Sequence, residues 1–270
     1  MLHKVSSPAN PVVKMLKSLH AKKGRSETGL FLAEGARLIE EAALLGKWPD
    51  VLALAPAALA RRQTADLVNR AASAGVRCVE TSEGVLAQIS KRDNPQTMIA
   101  AYHRFDTSLS SLAAKPGDLW LALEAVRDPG NLGSILRTAD AAGAAGVILV
   151  GGTCDPFSVE AVRASMGAIF ATRFAQTDFA GFDAWRRAAG LPMYGASLNT
   201  NARHDAPTAE RGAVLLLGNE QAGLTSDAEG ACDALVRIPM RGKADSLNLA
   251  AAAAILLYDF WRRRGYDGAA

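Results

Sequence analysis

A chain of 270 residues, 49% hydrophobic and 21% charged, can bury one large core or two modest ones, which excludes a disordered tail. Its longest charge-free apolar stretches, Ala141 to Cys154 and Ser246 to Tyr258, are broken by glycine or fall short of the ~20 residues that span a bilayer. With no apolar signal core at the amino terminus either, a cytoplasmic protein without membrane segments is expected. Cys78, Cys154 and Cys232 lie far apart, as do His3, His20, His103 and His204, so neither disulfides nor a metal site is supported.

The formal net charge of +3 hides an asymmetry. Residues 1–26 hold six basic residues (Lys4, Lys14, Lys17, Lys22, Lys23 and Arg25) and no acid, ahead of a slightly acidic remainder. Such a leader fits contact with a polyanion, phosphate backbones being the commonest, or is a solvated tail. Arg262, Arg263 and Arg264 could add to the same field or complement a helix carboxyl end.

From Phe31 to His103 short apolar runs alternate with helical patterns: Leu30–Ala33 then Arg37–Leu45, Val51–Ala55 then Ala65–Ala74, Val76–Glu80 then Val85–Ile89, and finally Met98–Tyr102. This alternation predicts a small α/β domain over residues 1–104. The Ser-rich stretch 105–117, closing on Pro116 and Gly117, reads as a linker. A second α/β domain, 118–270, follows, with strands expected at Leu119–Ala125, Val147–Val150, Ile169–Ala175, Pro192–Ala196, Ala213–Leu217 and Leu235–Ile238. Continuous apolar runs such as Ala-Val-Leu-Leu-Leu indicate a sheet covered on both faces. Ligands then collect at the carboxyl ends of its strands, which singles out the loops Arg127–Gly133, Gly218–Gly223 and Pro239–Asn248.

In the first loop Pro129, Gly130 and Gly133 make a tight turn, and Asn131 is placed either to cap the next helix or to serve a site. Arg137 is the sole charge between Asp128 and Asp140 on that helix; it is solvated or functional. In the second, a buried strand ends directly in Gly218, followed by Glu220 and Gly223, which lets backbone approach a ligand closely or makes an ordinary strand-to-helix turn. The third sets Arg241, Lys243, Asp245, Ser246 and Asn248 before the uncharged helix Ala250–Tyr258, which is expected to be covered on most sides. Neither G-x-G-x-x-G opening a helix nor G-x-x-x-x-G-K-[ST] occurs.

Taken together, Asn131-x-Gly133-x-x-x-Arg137, Gly218-Asn219-Glu220 and Ile238-Pro239-Met240 with Ser246-Leu247-Asn248 resemble the three motifs of the SpoU family of RNA ribose 2′-O-methyltransferases. Ser165-Met166-Gly167 is similar to the family's intervening element, and Ser7–Ala42 to its amino-terminal substrate-binding domain. The resemblance implies a parallel-sheet α/β domain closed by a deep trefoil knot, a rare exception to the rule against knots, which methylates a ribose 2′-hydroxyl of structured RNA, ribosomal before transfer RNA. It implies S-adenosylmethionine as cofactor, its adenine among Leu217, Gly218, Ile238, Met240 and Leu247, where a β-carbon on Gly218 would push the ring away. It implies Arg137 as the leading catalytic residue, oriented by Asn131 and Glu220, with Ser246 and Asn248 holding the reacting ribose or the cofactor's polar end, and a homodimer in which one subunit can complete the other's site. The alternative is a catalytically silent RNA-binding or ribosome-associated module of the same fold; Arg137, Glu220 and Asn248 all being present favours the enzyme. A nucleotide-dependent oxidoreductase is disfavoured by the absent phosphate signatures.

Overall fold

The computed structural model describes residues 2–205 and 212–269. They form two compact units, one of Met1–Phe105 and Asp155–Ala171, the other of Asp106–Cys154 and Thr172–Ala270.

The first unit opens with β1 (His3–Lys4), α1 (Pro11–Ser18), α2 (Lys22–Thr28), β2 (Leu30–Glu34), α3 (Ala36–Leu44), β3 (Val51–Leu54), α4 (Arg62–Ser73), β4 (Arg77–Glu80), α5 (Glu83–Ser90) and β5 (Met98–His103). Its sheet runs β1-β4-β3-β5-β2, with β5 antiparallel to both neighbours. Asn10 and Ser82 start α1 and α5 by accepting backbone N–H bonds, and α1 has Pro11 in its first turn, where a missing N–H costs nothing. Leu16, Leu19, Leu32, Leu86, Ile89 and Ile99 fill one face of the sheet.

The basic leader is part of this fold. His3 and Lys4 pair with Val79 and Glu80 in the sheet. Arg25, grouped by sequence with the polyanion-facing residues, is instead buried: Nε and Nη2 donate to Asp155 Oδ2 at 3.0 and 2.7 Å, and Nη1 to the Leu19 and His20 carbonyls at 2.8 and 3.0 Å. A guanidinium taken out of water needs its donors met, and here backbone and carboxylate take four of the five. Lys4, Lys14, Lys22 and Lys23 stay exposed.

The second unit begins with β6 (Leu119–Glu124), α6 (Pro129–Ala141) and β7 (Gly146–Val150). The chain then gives α7 (Val159–Ala164) and α8 (Ala168–Ala171) to the first unit, where Arg163 Nη2 donates to Glu34 Oε2 at 2.6 Å and the rings of Phe157 and Phe170 pack on Phe31 and Tyr102. It returns with β8 (Phe174–Thr177), α9 (Phe179–Ala188), β9 (Met193–Ala196), β10 (Ala213–Leu217), α10 (Ser226–Ala231), β11 (Ala234–Val236) and α11 (Leu249–Arg263). The strand expected at Ile169–Ala175 is thus corrected: Ala168–Ala171 is helical and the strand starts at Phe174, because a short apolar run has no periodicity to separate the two states.

The second sheet runs β11-β9-β10-β6-β7-β8 with every pair parallel. β6, β7 and β10 are buried along their whole length, as a sheet covered on both faces requires. Trp120, Ile148, Phe182, Met193, Val214 and Leu216 fill one side. On α11 only the stripe Ala253, Leu256, Leu257 and Phe260 is buried, against α6 and β10, while Ile255 and Tyr258 are 39% and 40% exposed. The expectation that this helix is covered on most sides therefore fails within one chain. The carboxyl-terminal arginines are tied down within the fold: Arg262 and Arg263 to Asp259, Arg264 to Asp267 and the Gly117 carbonyl.

Candidate active site

β10 and β6 are neighbours in register, Leu217 opposite Leu123, so the loops leaving their carboxyl ends emerge side by side. At the end of β6 the chain turns sharply, with Ala125 at φ 52, a left-handed conformation costly for a residue with a β-carbon. The Ala125 carbonyl accepts from Asn219 Nδ2 at 2.9 Å, which ties the first loop to the second. Asn219 also closes its own turn, its backbone exchanging two bonds with Gly223 and its Oδ1 accepting from the Gln221 and Ala222 amides.

The cap of α6 is Asp128, whose Oδ1 accepts from the Asn131 amide at 2.6 Å; Pro129 occupies the first turn. Asn131 is therefore not the cap that the sequence allowed. It sits inside the first turn with its side chain available, donating through Nδ2 to Glu220 Oε1 at 3.3 Å and accepting at Oδ1 from Asn248 Nδ2 at 2.9 Å. Asn248 in turn caps α11, accepting from the Ala250 and Ala251 amides. One line of hydrogen bonds, Glu220–Asn131–Asn248, thus joins all three loops. Glu220 also accepts from the Arg127 and Asp128 amides at 3.2 Å each. Partial burial would raise its carboxyl, but these backbone bonds, one from its own amide and that from Asn131 outweigh it and hold the group below its ordinary value.

Beside these loops lies a cavity of about 430 Å³, within the size range of small-molecule sites. Leu217, Gly218, Ile238, Met240 and Leu247 all line it, as do Glu220 and Ser246. Asn131 and Asn248 do not line it; they reach it through Glu220. Gly218 is required by the turn itself: a β-carbon there would land on the backbone of Gly223 and Leu224. To the sequence-based reason, contact with a ligand ring, the fold thus adds one internal to the protein.

Arg137 stands apart from the cavity on an exposed face of α6, and among the described residues its guanidinium has no hydrogen bond or ion pair. Gly133 and Ser134 lie one turn earlier on its face, so a long side chain leaning toward the helix amino terminus meets little bulk there.

Sequence reasoning missed one wall of the cavity. Ser197, Leu198 and Asn199, in the loop after β9, and Glu229 of α10 line it. Ser197 Oγ donates to Glu229 Oε1, and Asn199 Nδ2 donates to both carboxylate oxygens at 3.0 and 3.2 Å. The strand expected at Pro192–Ala196 already pointed here, since its carboxyl end is also a ligand-binding edge. What hid the wall was strand order, which inserts β9 between β11 and β10.

A parallel sheet with a cavity at its carboxyl edge and loops laced together beside it fits an α/β enzyme, and likeness to known proteins makes it one of the SPOUT methyltransferase class. The SpoU rRNA methylase family model matches residues 118–258, and the MRM3-like substrate binding domain matches residues 10–100. The chain belongs to the SpoU rRNA methylase family. It is 34% identical over 257 residues to the 23S rRNA (guanosine(2553)-2′-O)-methyltransferase RlmP of Bacillus subtilis, covering 95% of this chain and 98% of that protein. Among solved structures, the AdoMet-bound rRNA methyltransferase from Sinorhizobium meliloti superposes with a TM-score of 0.89 at 40% identity, covering 97% of this chain and 98% of the other. The SpoU methyltransferase AviRb from Streptomyces viridochromogenes, in complex with AdoMet, gives 0.83 at 28% identity over 96% of this chain and all of that one.

Proposed function

We propose that this protein transfers the methyl group of S-adenosylmethionine to a ribose 2′-hydroxyl in ribosomal RNA. The observation that carries the reading is the cavity lined by the second and third motif loops, to which the first is tied through the bonded series Glu220, Asn131 and Asn248. Support comes from the relatives: RlmP is named for this reaction on 23S rRNA, and the Sinorhizobium structure is described as AdoMet-bound. The cavity suits such a cofactor, since Leu217, Ile238 and Leu247 offer apolar surface to a purine and the turn at Gly218 leaves backbone groups to read its edge.

Bound there, S-adenosylmethionine supplies an electrophilic methyl group. The rest is work for the chain. The Arg137 guanidinium, placed beside the nucleophile, holds an adjacent phosphate and stabilises negative charge as the hydroxyl loses its proton. Glu220 acts as an anchor: a carboxylate whose lone pairs are taken by backbone amides and Asn131, and whose proton affinity is depressed, is a poor base. Asn131 passes that anchorage to Asn248, and Ser246 holds the ribose or the cofactor's polar end. The proton leaves to phosphate or water.

The reading extends to a homodimer, to the trefoil knot and to a cytoplasmic setting. Exposed Ile255 and Tyr258 on α11 offer apolar surface to a second copy, and an exposed Arg137 that does not line its own cavity is free to serve a partner's. For the knot, α11 returns from the edge strand β11 to pack on β10 in mid-sheet. Among the described residues no helix is long and apolar enough to cross a membrane. The first unit grips RNA through exposed Lys4, Lys14, Lys22 and Lys23, positioning one ribose by shape and phosphate contacts.

Arg137→Ala tests the mechanism. Methyl transfer to rRNA should fall at least about a hundredfold while calorimetric affinity for S-adenosylmethionine stays put. Turnover near wild type would remove Arg137 from the reaction. Deleting the gene and mapping ribose methylation across cellular RNA should lose one ribosomal site; loss from transfer RNA alone would move the substrate there.

A further inference from the structure

We propose that Glu229, held by Ser197 and Asn199, is the residue that binds the ribose hydroxyls of the cofactor's adenosine moiety; this rests on the S-adenosylmethionine reading above. A carboxylate on a six-residue surface helix is ordinarily a solvated charge. This one lines the cavity, and a hydroxyl and a side-chain amide from the loop after β9 fix its orientation. Ionised, it is acceptor-only, and its two oxygens offer about four lone-pair sites. Ser197 and Asn199 leave acceptor capacity over, so the group can still take donors from the cavity. A vicinal diol presents two such donors at a spacing that matches a carboxylate, which is how an acidic side chain holds the ribose in dinucleotide-binding folds.

Sheet order decides which donors of the cofactor meet it. In the sequence β11-β9-β10-β6, the Ser197–Asn199 loop leaves β9, between the strands that carry Val236 and Leu217. Glu220, Asn131 and the start of α6 lie on the opposite side of β10, next to β6. Glu229 therefore meets the nucleoside end of the ligand, and the motif loops near β6 meet the sulfonium end. Its partner is then the ribose rather than the α-ammonium of the methionine tail.

The test is calorimetric and independent of turnover. S-adenosylhomocysteine, 5′-methylthioadenosine, which lacks the amino-acid tail, and 3′-deoxy-5′-methylthioadenosine are titrated into wild type and Glu229→Gln, with circular dichroism melts confirming that the variant folds. Losing a hydrogen bond to a charged acceptor should weaken S-adenosylhomocysteine and 5′-methylthioadenosine alike, by about tenfold. Removing the 3′-hydroxyl should weaken binding to wild type by a similar factor and to the variant hardly at all. Asn199→Ala, which frees the carboxylate without removing it, should give a smaller loss in the same direction. Unchanged affinity for 5′-methylthioadenosine in Glu229→Gln, or equal sensitivity of both proteins to the missing hydroxyl, overturns the assignment. If wild type binds S-adenosylhomocysteine but Glu229 proves indifferent, this inference alone falls; if wild type binds none of the three, the cofactor reading falls with it.

Discussion

Truncating Asn131 and Asn248 to alanine, singly and together, isolates the bond on which the convergence of the loops depends. Asn248→Ala removes the cap of α11, worth ~1 kcal/mol, and the 2.9 Å bond to Asn131, worth ~1 kcal/mol. Asn131→Ala removes that same bond and the longer, solvent-facing 3.3 Å bond to Glu220, which at this exposure is worth ~1 kcal/mol despite the charge. Each single variant should therefore lose ~2 kcal/mol. The double variant should lose ~3 rather than ~4, because the shared bond breaks only once, giving a coupling of ~1 kcal/mol. Scanning calorimetry should register each single loss as a downward shift of roughly 4–8 °C for a chain of this size, and methyl transfer should fall with it. Losses that add to within ~0.3 kcal/mol would show that the two side chains act independently, and the picture of three laced loops would be refuted.

Gly218→Ala should destabilise the turn directly, since its β-carbon meets the backbone of Gly223 and Leu224, and both stability and S-adenosylmethionine affinity should drop. An unchanged melt with weakened affinity would leave only the ligand-contact explanation. Glu220 gives a pH signature. Its carboxyl sits below the ordinary 4.5 in the fold, so its stabilisation is fully present above that pH and is lost as pH falls through the lower folded value. The melting gap between wild type and Glu220→Gln should thus narrow below about pH 4.5; a gap constant from pH 7 to 3 would contradict the network. Arg25→Ala leaves Asp155 uncompensated and should cost ~3–5 kcal/mol in urea unfolding, where a solvated leader residue would cost almost nothing.

Much of the site could be read one segment at a time. The uncharged run Ala213–Leu217 ending in glycine, and the Asp-Pro-Gly-Asn turn before an apolar helix, announce buried strands and helix starts through signals that act over a few residues. Even the misplaced cap at Asn131 had a local clue: Pro129 favours the first helical position, which makes Asp128 the residue before it. Once Asp128 caps, the Asn131 side chain is available for the two loops that the sequence puts far away.

What remained hidden is what depends on partners distant along the chain. Nothing near Arg25 foretells Asp155, nor does anything near Glu34 foretell Arg163, so the transfer of Asp155–Ala171 to the first unit appears only when those charges meet. Likewise the insertion of β9 between β11 and β10, which brings Ser197 and Glu229 to the cavity, follows from which strand pairs with which. Residue order by itself determined the turns and helix starts, because capping, periodicity and backbone freedom are properties of short segments, and the reaction class came with the resemblance of its three motifs to the SpoU family. Only the folded molecule decided which side chains share a wall, because pairing and burial are settled by contacts whose loop-closure cost and apolar gain belong to the chain as a whole.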